Sequence, residues 1–403
     1  MKRRFQSSAG FTLLEVMVAA ALGVIVLTTG LAVGTQLQKR ALFEEQTMMA
    51  QTTGRALQER LSADISRAGN GMGNTPISFS DTDQRFAVQV YSDPGTDTYF
   101  QTDYVAPPTG SPTSNALRLY WGRTRDLVFL DTCAGGGTVV RNGANEFCLA
   151  ADSSAGMKPA AGQPATLAVA VNGDQGENVS GNTILPVSCL LRVTNVQPDA
   201  TVKKLTATVG PDTGTLTNLC TNSVDPRWQL SNWIVMALEG VAYRVNWTGG
   251  FPTLEALPHG ATTWQVVSRD VEQMRVREAV ADLTTPSNAY RWFPDASAGR
   301  GPLDACTTAS CTVDNRAGEA PPSVADANEA LRMRLRNRVR ELEITLVVRT
   351  RRLDTEAVAP GNDENGHRRD GYKRRTITFR VAPRGLGMTG LQVLEPVPSG
   401  SGT

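Results

Sequence analysis

An acid in an oily run constrains this chain most. Residues 11–34 are apolar or small, and their one charge is Glu15. Lys2, Arg3 and Arg4 stand before them. At ~1.5 Å per residue the run spans ~36 Å as a helix, enough to cross a hydrocarbon core of ~30 Å. An ordinary export signal has a shorter apolar part and is cut after it. Here the small-residue stretch Ser7-Ser8-Ala9-Gly10 precedes the run. Cutting there removes the basic leader and keeps the membrane helix. A carboxylate in hydrocarbon is costly unless it is paired, and so is an amine freed inside the membrane. Together they favour a staggered register between parallel helices.

Gly10-Phe11-Thr12-Leu13-Leu14-Glu15-Val16 resembles the cleavage and methylation motif of type IV prepilins and type II secretion pseudopilins. The resemblance implies that a prepilin peptidase cuts between Gly10 and Phe11 and that the new Phe11 amine is N-methylated. It implies that Glu15 compensates the positive N-terminus of a neighbouring subunit during assembly.

After Gly34 the sequence turns polar but stays helical. Leu42, Met49, Leu57, Leu61, Ile65 and Ala68 fall at or near helical spacings, with charges on the other faces. Gly69-Asn70-Gly71 ends the pattern with a glycine at the C-cap. One helix over about 11–68 is expected, apolar all round first and amphipathic afterwards. Such a two-part helix resembles pilins. Asp64, Ala68 and Gly69 are close to a pattern of PilW-like minor pilins, so the chain resembles that family most. The pseudopilin J of type II secretion has a related region.

Beyond residue 72 the signals are strands and turns. "ALRLYW" (116–121), "DLVFL" (126–130), "VSCLLRV" (187–193) and "WIVMALEGVAYRVNW" (233–247) are rich in β-formers and are set off by turn residues. Residues 262–280 read as one strand or two joined near Ser268-Arg269-Asp270. Residues 341–348 and 376–381 alternate as strands with one buried face, and a polar loop over 353–373 joins them. The expected fold class is α+β: a long N-terminal helix, half transmembrane and half amphipathic, on an antiparallel β-sheet body with β-rich insertions. The expected segments are a leader at 1–10, a transmembrane helix at 11–34 and its amphipathic continuation at 35–69. A globular body at 70–386 follows, with an insertion or second subdomain at about 131–232, and then a flexible tail at 387–403.

Net charge is +1, which removes any global electrostatic case for nucleic acid. Two histidines, His259 and His367, rule out a His-rich metal site and leave little for His-based catalysis; both read as surface residues. No Walker A, GxSxG or HExxH pattern occurs. No enzyme and no cofactor are expected. Cys133, Cys148, Cys189, Cys220, Cys306 and Cys311 contain no CxxC and suit disulfides in an exported body. Sequence-neighbour pairing, 133–148, 189–220 and 306–311, closes the shortest loops; free buried thiols are the alternative. The acidic stretches 80–84, 92–103 and 361–365 lack EF-hand spacing and read as solvated loops rather than calcium sites. The tryptophans, Trp228, Trp233, Trp247, Trp264 and Trp292 among them, read as packing residues. Arg332, Arg334, Arg336, Arg338 and Arg340 alternate and would line one face of a strand. That face suits DNA phosphates, paired carboxylates or a subunit contact.

The expected function is a structural or assembly-priming minor pilin, bulky enough to favour the filament tip. It sits in the inner membrane in a single pass with its N-terminus cytoplasmic, then on the cell-surface pilus. Expected partners are the prepilin peptidase, other major and minor pilins, the inner-membrane assembly machinery and membrane lipid, with DNA as a further candidate. The alternatives are a J-like pseudopilin and a tip adhesin or DNA-uptake pilin.

Overall fold

A computed structural model describes residues 11–386 apart from 74–75, 80–82, 135–136, 142–144, 151–155, 163–164, 173–175, 178–182, 185–186, 199–202, 210–232, 283–289, 312–325, 352, 354–357 and 363–366. Its first element is a single helix, α1 (Leu13–Arg67), of 55 residues. In its apolar half, an 18-residue window has mean hydropathy 2.4 and is 0% buried. The core-facing stripe is Ala50, Gly54, Leu57, Leu61 and Ile65. Steps of three and four keep those residues on one face. Burying Leu57, Leu61 and Ile65 stabilises the docked helix by roughly 2 kcal/mol each. Leu42 and Met49, expected on this stripe, are exposed, because the body buries the helix face only from Ala50 onward. The C-cap is Ala68, and Gly69 follows at φ +74, a left-handed position that suits glycine.

The chain then builds β1 (Ile77–Ser78), β2 (Gln84–Arg85), β3 (Val88–Tyr91), a short helix α2 (Thr98–Gln101) and the long β4 (Ala116–Phe129). Next come β5 (Val140–Arg141), β6 (Glu146–Cys148), β7 (Thr166–Asn172), β8 (Gly176–Glu177), β9 (Thr183–Ile184), β10 (Val187–Pro198) and β11 (Lys203–Val209). Then follow β12 (Trp233–Asn246), β13 (Thr253–Pro258) and β14 (Gln265–Arg269). Among the described residues these form one sheet ordered β14-β13-β12-β7-β10-β11-β6-β5, while β8 and β9 pair separately. β12 organises it: β4 lies along one side, and the other side is shared by β7 (Trp233↔Asn172 to Ala237↔Ala168) and β13 (Val241↔Pro258 to Asn246↔Thr253). Within 131–232, β5, β6, β7, β10 and β11 therefore extend the main sheet, over a core of their own that includes Val128, Phe147, Leu191 and Trp233.

A second sheet, ordered β16-β15-β17-β20, consists of β15 (Val271–Ala281), β16 (Tyr290–Phe293), β17 (Val339–Arg349) and β20 (Arg374–Val381). A helix α3 (Ala327–Asn337) precedes β17, and a hairpin of β18 (Val358–Asn362) and β19 (Arg368–Asp370) precedes β20. The polar segment 353–373 thus contains a hairpin where an open loop was expected. The two sheets join at Asp270, which has φ 66. Its N–H donates to the Pro252 carbonyl at 2.8 Å, and its carbonyl accepts from Arg349 N–H at 2.9 Å. Of the one strand or two expected over 262–280, the structure has two, parted at Asp270 and placed in different sheets. α1 lies on β17 and β20, where the Gly54 position meets Ile377 and Val348.

Two further expectations are corrected. Residues 116–121 and 126–129 belong to one continuous strand, β4, whose register against β12 shifts between Val235 and Ala237, while Leu130 lies just past its end. The arginine run is not one strand face. Arg332, Arg334 and Arg336 lie on α3, Arg338 caps it, and Arg340 lies on β17. Asp326 starts the helix by accepting from the N–H groups of Asn328 (2.8 Å) and Glu329 (3.4 Å). Glu329 then pairs with Arg332 (2.7 Å) and Arg336 (3.2 Å).

Candidate assembly site on the N-terminal helix

The site is built from the first turn of α1. Thr12 is extended (φ −76, ψ 150) and serves as N-cap. Its Oγ1 accepts from Glu15 N–H at 3.3 Å, while Glu15 Oε2 accepts from Thr12 N–H at 3.0 Å and from Thr12 Oγ1–H at 3.1 Å. This reciprocal capping box satisfies two donors that a helix start leaves orphaned. It also fixes the carboxylate beside the backbone of residue 12. Glu15 Oε1 has no hydrogen-bond donor among the described residues, so half of the carboxylate is open to a cation. Phe11 is 86% exposed and Gly10 lies outside the described residues.

Above this turn the helix presents an unbroken apolar surface. Thr28 and Thr29 do not interrupt it, since their hydroxyls donate to the carbonyls of Val24 and Ile25 at 2.9 Å each. In hydrocarbon such internal satisfaction removes the penalty of a bare hydroxyl. A Cβ added at Gly23, Gly30 or Gly34 would meet nothing within 4 Å, so these positions leave room for a neighbouring helix.

The other end of α1 is tied to the sheet. Gly69 N–H donates to the Tyr120 carbonyl at 2.9 Å, and Gly122 N–H donates to the Asn70 carbonyl at 2.8 Å. Tyr243 donates to Asp64, Arg60 Nε donates to the Tyr243 hydroxyl at 3.4 Å, and Arg67 lies 3.9 Å from Asp64. Burial, followed by the Asp64 carboxylate, pushes the Tyr243 phenol above its ordinary value. Asp64 and Gly69 thus join the helix to the body.

The remaining sequence candidates do not converge. Cys133 is bonded to Cys148 (S–S 1.97 Å) and Cys306 to Cys311 (2.12 Å). Cys189 is also disulfide-bonded, and Cys220 lies outside the described residues. Neither histidine is a surface residue, contrary to expectation. His367 is buried, with Nδ1 3.9 Å from Glu272 Oε2. His259 packs edge-on against Tyr120 (5.2 Å) and Phe79 (6.0 Å). Burial, and then the charges of Arg85 and Arg118, push its imidazole down to about 4. Arg336, Arg338, Arg340 and Arg349 are all buried, so no continuous basic stripe faces solvent there. Trp233 and Trp247 are core residues, Trp264 stacks over Arg244 at 4.1 Å, and Trp228 lies outside the described residues. No group of three or more His, Cys, Asp or Glu side chains suited to a metal occurs among the described residues. Thr12 and Tyr243 were not singled out from the sequence. Thr12 carries a legible signal, the T-x-x-E spacing ahead of an apolar run.

Residues 6–31 match the prokaryotic N-terminal methylation motif. A solved structure similar to this chain is a type IV-like pilin from Thermus thermophilus, 13% identical, with 55% of this chain and 84% of that one covered and a TM-score of 0.18. A TM-score of that size carries no inference about the body. No curated protein matches the chain. The motif and the exposed helix it opens support a pilin-type subunit, a class that covers pilins and pseudopilins.

Proposed function

We propose that this chain is a minor pilin of the PilW-like kind, a structural and assembly-priming subunit without catalytic activity. The carrying observation is the first turn of α1. There an acid is held by its own cap with one oxygen open, at the start of an exposed membrane-length helix. Prepilin peptidase removes residues 1–10 between Gly10 and Phe11, and Phe11 is N-methylated. The Phe11 amine of one subunit then meets Glu15 of the next. The pair neutralises both charges inside hydrocarbon and sets the stagger.

Before assembly, residues 11–34 span the inner membrane once with the N-terminus cytoplasmic, and 35–69 continue the helix into the body at 70–386. The assembly machinery extracts the helix into a filament beside other pilins. The large body favours the tip, since each added strand is hard to accommodate along a packed shaft. The sheet extension within 131–232 supports that placement, and residues 387–403 form a tail beyond the body. The dispersal and burial of the arginine run weigh against DNA uptake.

Deletion of the gene tests the proposal: pilus number and twitching fall while export of enzymes by type II secretion is unchanged. Normal piliation with lost secretion would assign the chain to a J-like pseudopilin instead.

A further inference from the structure

Where α1 leaves the membrane, the structure forms a groove of about 940 Å³ between the helix and the start of β20. Four cations line it, Lys39 and Arg40 from the helix and Lys373 and Arg375 from the sheet, against one acid, Glu44. Glu44 is engaged by Arg40 at 3.2 Å. Lys373 and Arg375 are exposed. Lys373 Nζ lies 4.5 Å from the centre of the Phe43 ring, which holds the ammonium against the helix rather than out in solvent. The apolar members of the lining, Leu42 and Leu353 among them, are half exposed, giving the groove an oily rim.

Its height is fixed by the helix. At ~1.5 Å per residue, Lys39 and Arg40 stand ~8–9 Å beyond Gly34, the end of the apolar run. The headgroup layer is ~5–8 Å thick on each side of the core. Long cationic side chains at that level reach the phosphates while their stems stay against apolar surface. Phe43 and Lys373 stand ~13 Å beyond Gly34, and the usual helix tilt of ~20° towards the groove brings them closer. The opening therefore faces the lipid surface with the charge sign that anionic headgroups require.

We propose that this groove binds the headgroup of an anionic phospholipid in the outer leaflet of the inner membrane, with Lys39 and Arg40 below the phosphate and Lys373 and Arg375 above it. The bound lipid seats the body on the membrane before extraction and leaves it when the helix moves into the filament. The inference rests on the membrane reading of residues 11–34.

The test uses the full chain in detergent micelles doped with equal phosphatidylglycerol and phosphatidylcholine, read by native mass spectrometry. Phosphatidylglycerol is expected to be retained over phosphatidylcholine. The double variant K373E/R375E is expected to lose at least about 25-fold of that preference, at about fivefold for each of the two cations near an anionic surface. The leader cations Lys2, Arg3 and Arg4 are common to both proteins, so the difference between the proteins isolates the groove. If that variant fails to fold, K39Q/R40Q changes only an exposed helix face and should lose a similar fraction. Equal retention by parent and variants would overturn the proposal. Displacement by inorganic phosphate would also overturn it, by assigning the groove to free anions. A full chain that stays monodisperse without detergent would sink the membrane reading itself.

Discussion

Two roles meet in Glu15, and substitutions separate them. As a cap, its carboxylate satisfies Thr12 N–H and hydroxyl. As an assembly charge, it meets a neighbour's amine. Replacing Glu15 by Ala or Gln keeps the other arm of the capping box, because Thr12 Oγ1 still accepts the N–H of residue 15 at 3.3 Å. The intramolecular loss is then about 0.5–1 kcal/mol, too little to melt a helix this long. The intermolecular loss is larger. Two unit charges ~4 Å apart are attracted by at most ~4 kcal/mol at an effective dielectric constant of ~20. If a third of that survives desolvation, incorporation still falls about tenfold.

Thr12→Ala is the control, since it removes both hydrogen bonds of the Thr12 hydroxyl and leaves the charge in place. The assay complements a deletion strain and compares each variant in sheared filaments with the same variant in membranes. Leader removal is followed by mobility. We expect all three variants to be inserted and cut, Glu15→Ala and Glu15→Gln to drop at least tenfold in filaments, and Thr12→Ala to stay within about twofold of the parent. Thr12→Ala falling as far as Glu15→Gln would show that capping is the role of the acid. Normal incorporation of Glu15→Gln would refute the pairing argument altogether.

Three further predictions concern the body. Gly54→Val places a branch where a Cβ already meets Ile377 Cδ1 at 1.8 Å, so thermal melts should show a loss of about 1–3 kcal/mol, partly recovered by Ile377→Ala. Glu278 is fully buried; burial, with Asp304 adding and Arg336 opposing, pushes its carboxyl up to about 8. The folded chain therefore holds this proton more tightly than the unfolded one, so its contribution is fully present below pH ~4.5 and is lost as pH rises towards ~8. Glu278→Gln should flatten the fall in melting temperature across that window, and an unchanged slope would exclude Glu278 as the cause. Removing Cys133–Cys148, which closes a separation of 15 residues, should cost about 3 kcal/mol, more than removing Cys306–Cys311, which closes five.

The helix was legible because its signals agree. The apolar run, the later stripe and the terminal glycines all place its ends near 11 and 68, against Leu13 and Arg67 observed. The T-x-x-E start was as legible, from Thr12 and Glu15 alone. The arginine run misled because Leu331, Met333 and Leu335 alternate while Leu331 and Leu335 also sit one helical turn apart, so two periods fit the same residues. The Asp326 cap decides between them, and it lies upstream of the pattern. Gly122 misled differently. It reads as punctuation between two short strands, yet β4 runs straight through it. A Cβ there would meet Met236 Sδ at 1.9 Å, so the glycine makes room for a facing side chain and turns nothing. The burial of His367 and the half-burial of His259 had no local signal, because the groups packed on them, Glu272 on one and Phe79 and Tyr120 on the other, are distant in sequence.

The two halves of α1 explain why the site could be located from sequence while most of the body's purpose could not. From Ala50 onward the helix is satisfied by its own chain: its apolar stripe is buried, and its end is bonded to β4. Over its apolar half no described residue buries it. An exposed run from Phe11 to Leu37 exceeds by far what a soluble surface tolerates, so lipid or other copies of such a helix must complete it. Its chemistry is therefore intermolecular, and a short motif suffices to specify it, because each partner presents the same few residues in the same register. The sheet carries no such repetition. Its buried apolar side chains pack against one another within the fold, and a pattern that only has to fill a core says little about what the outer face meets.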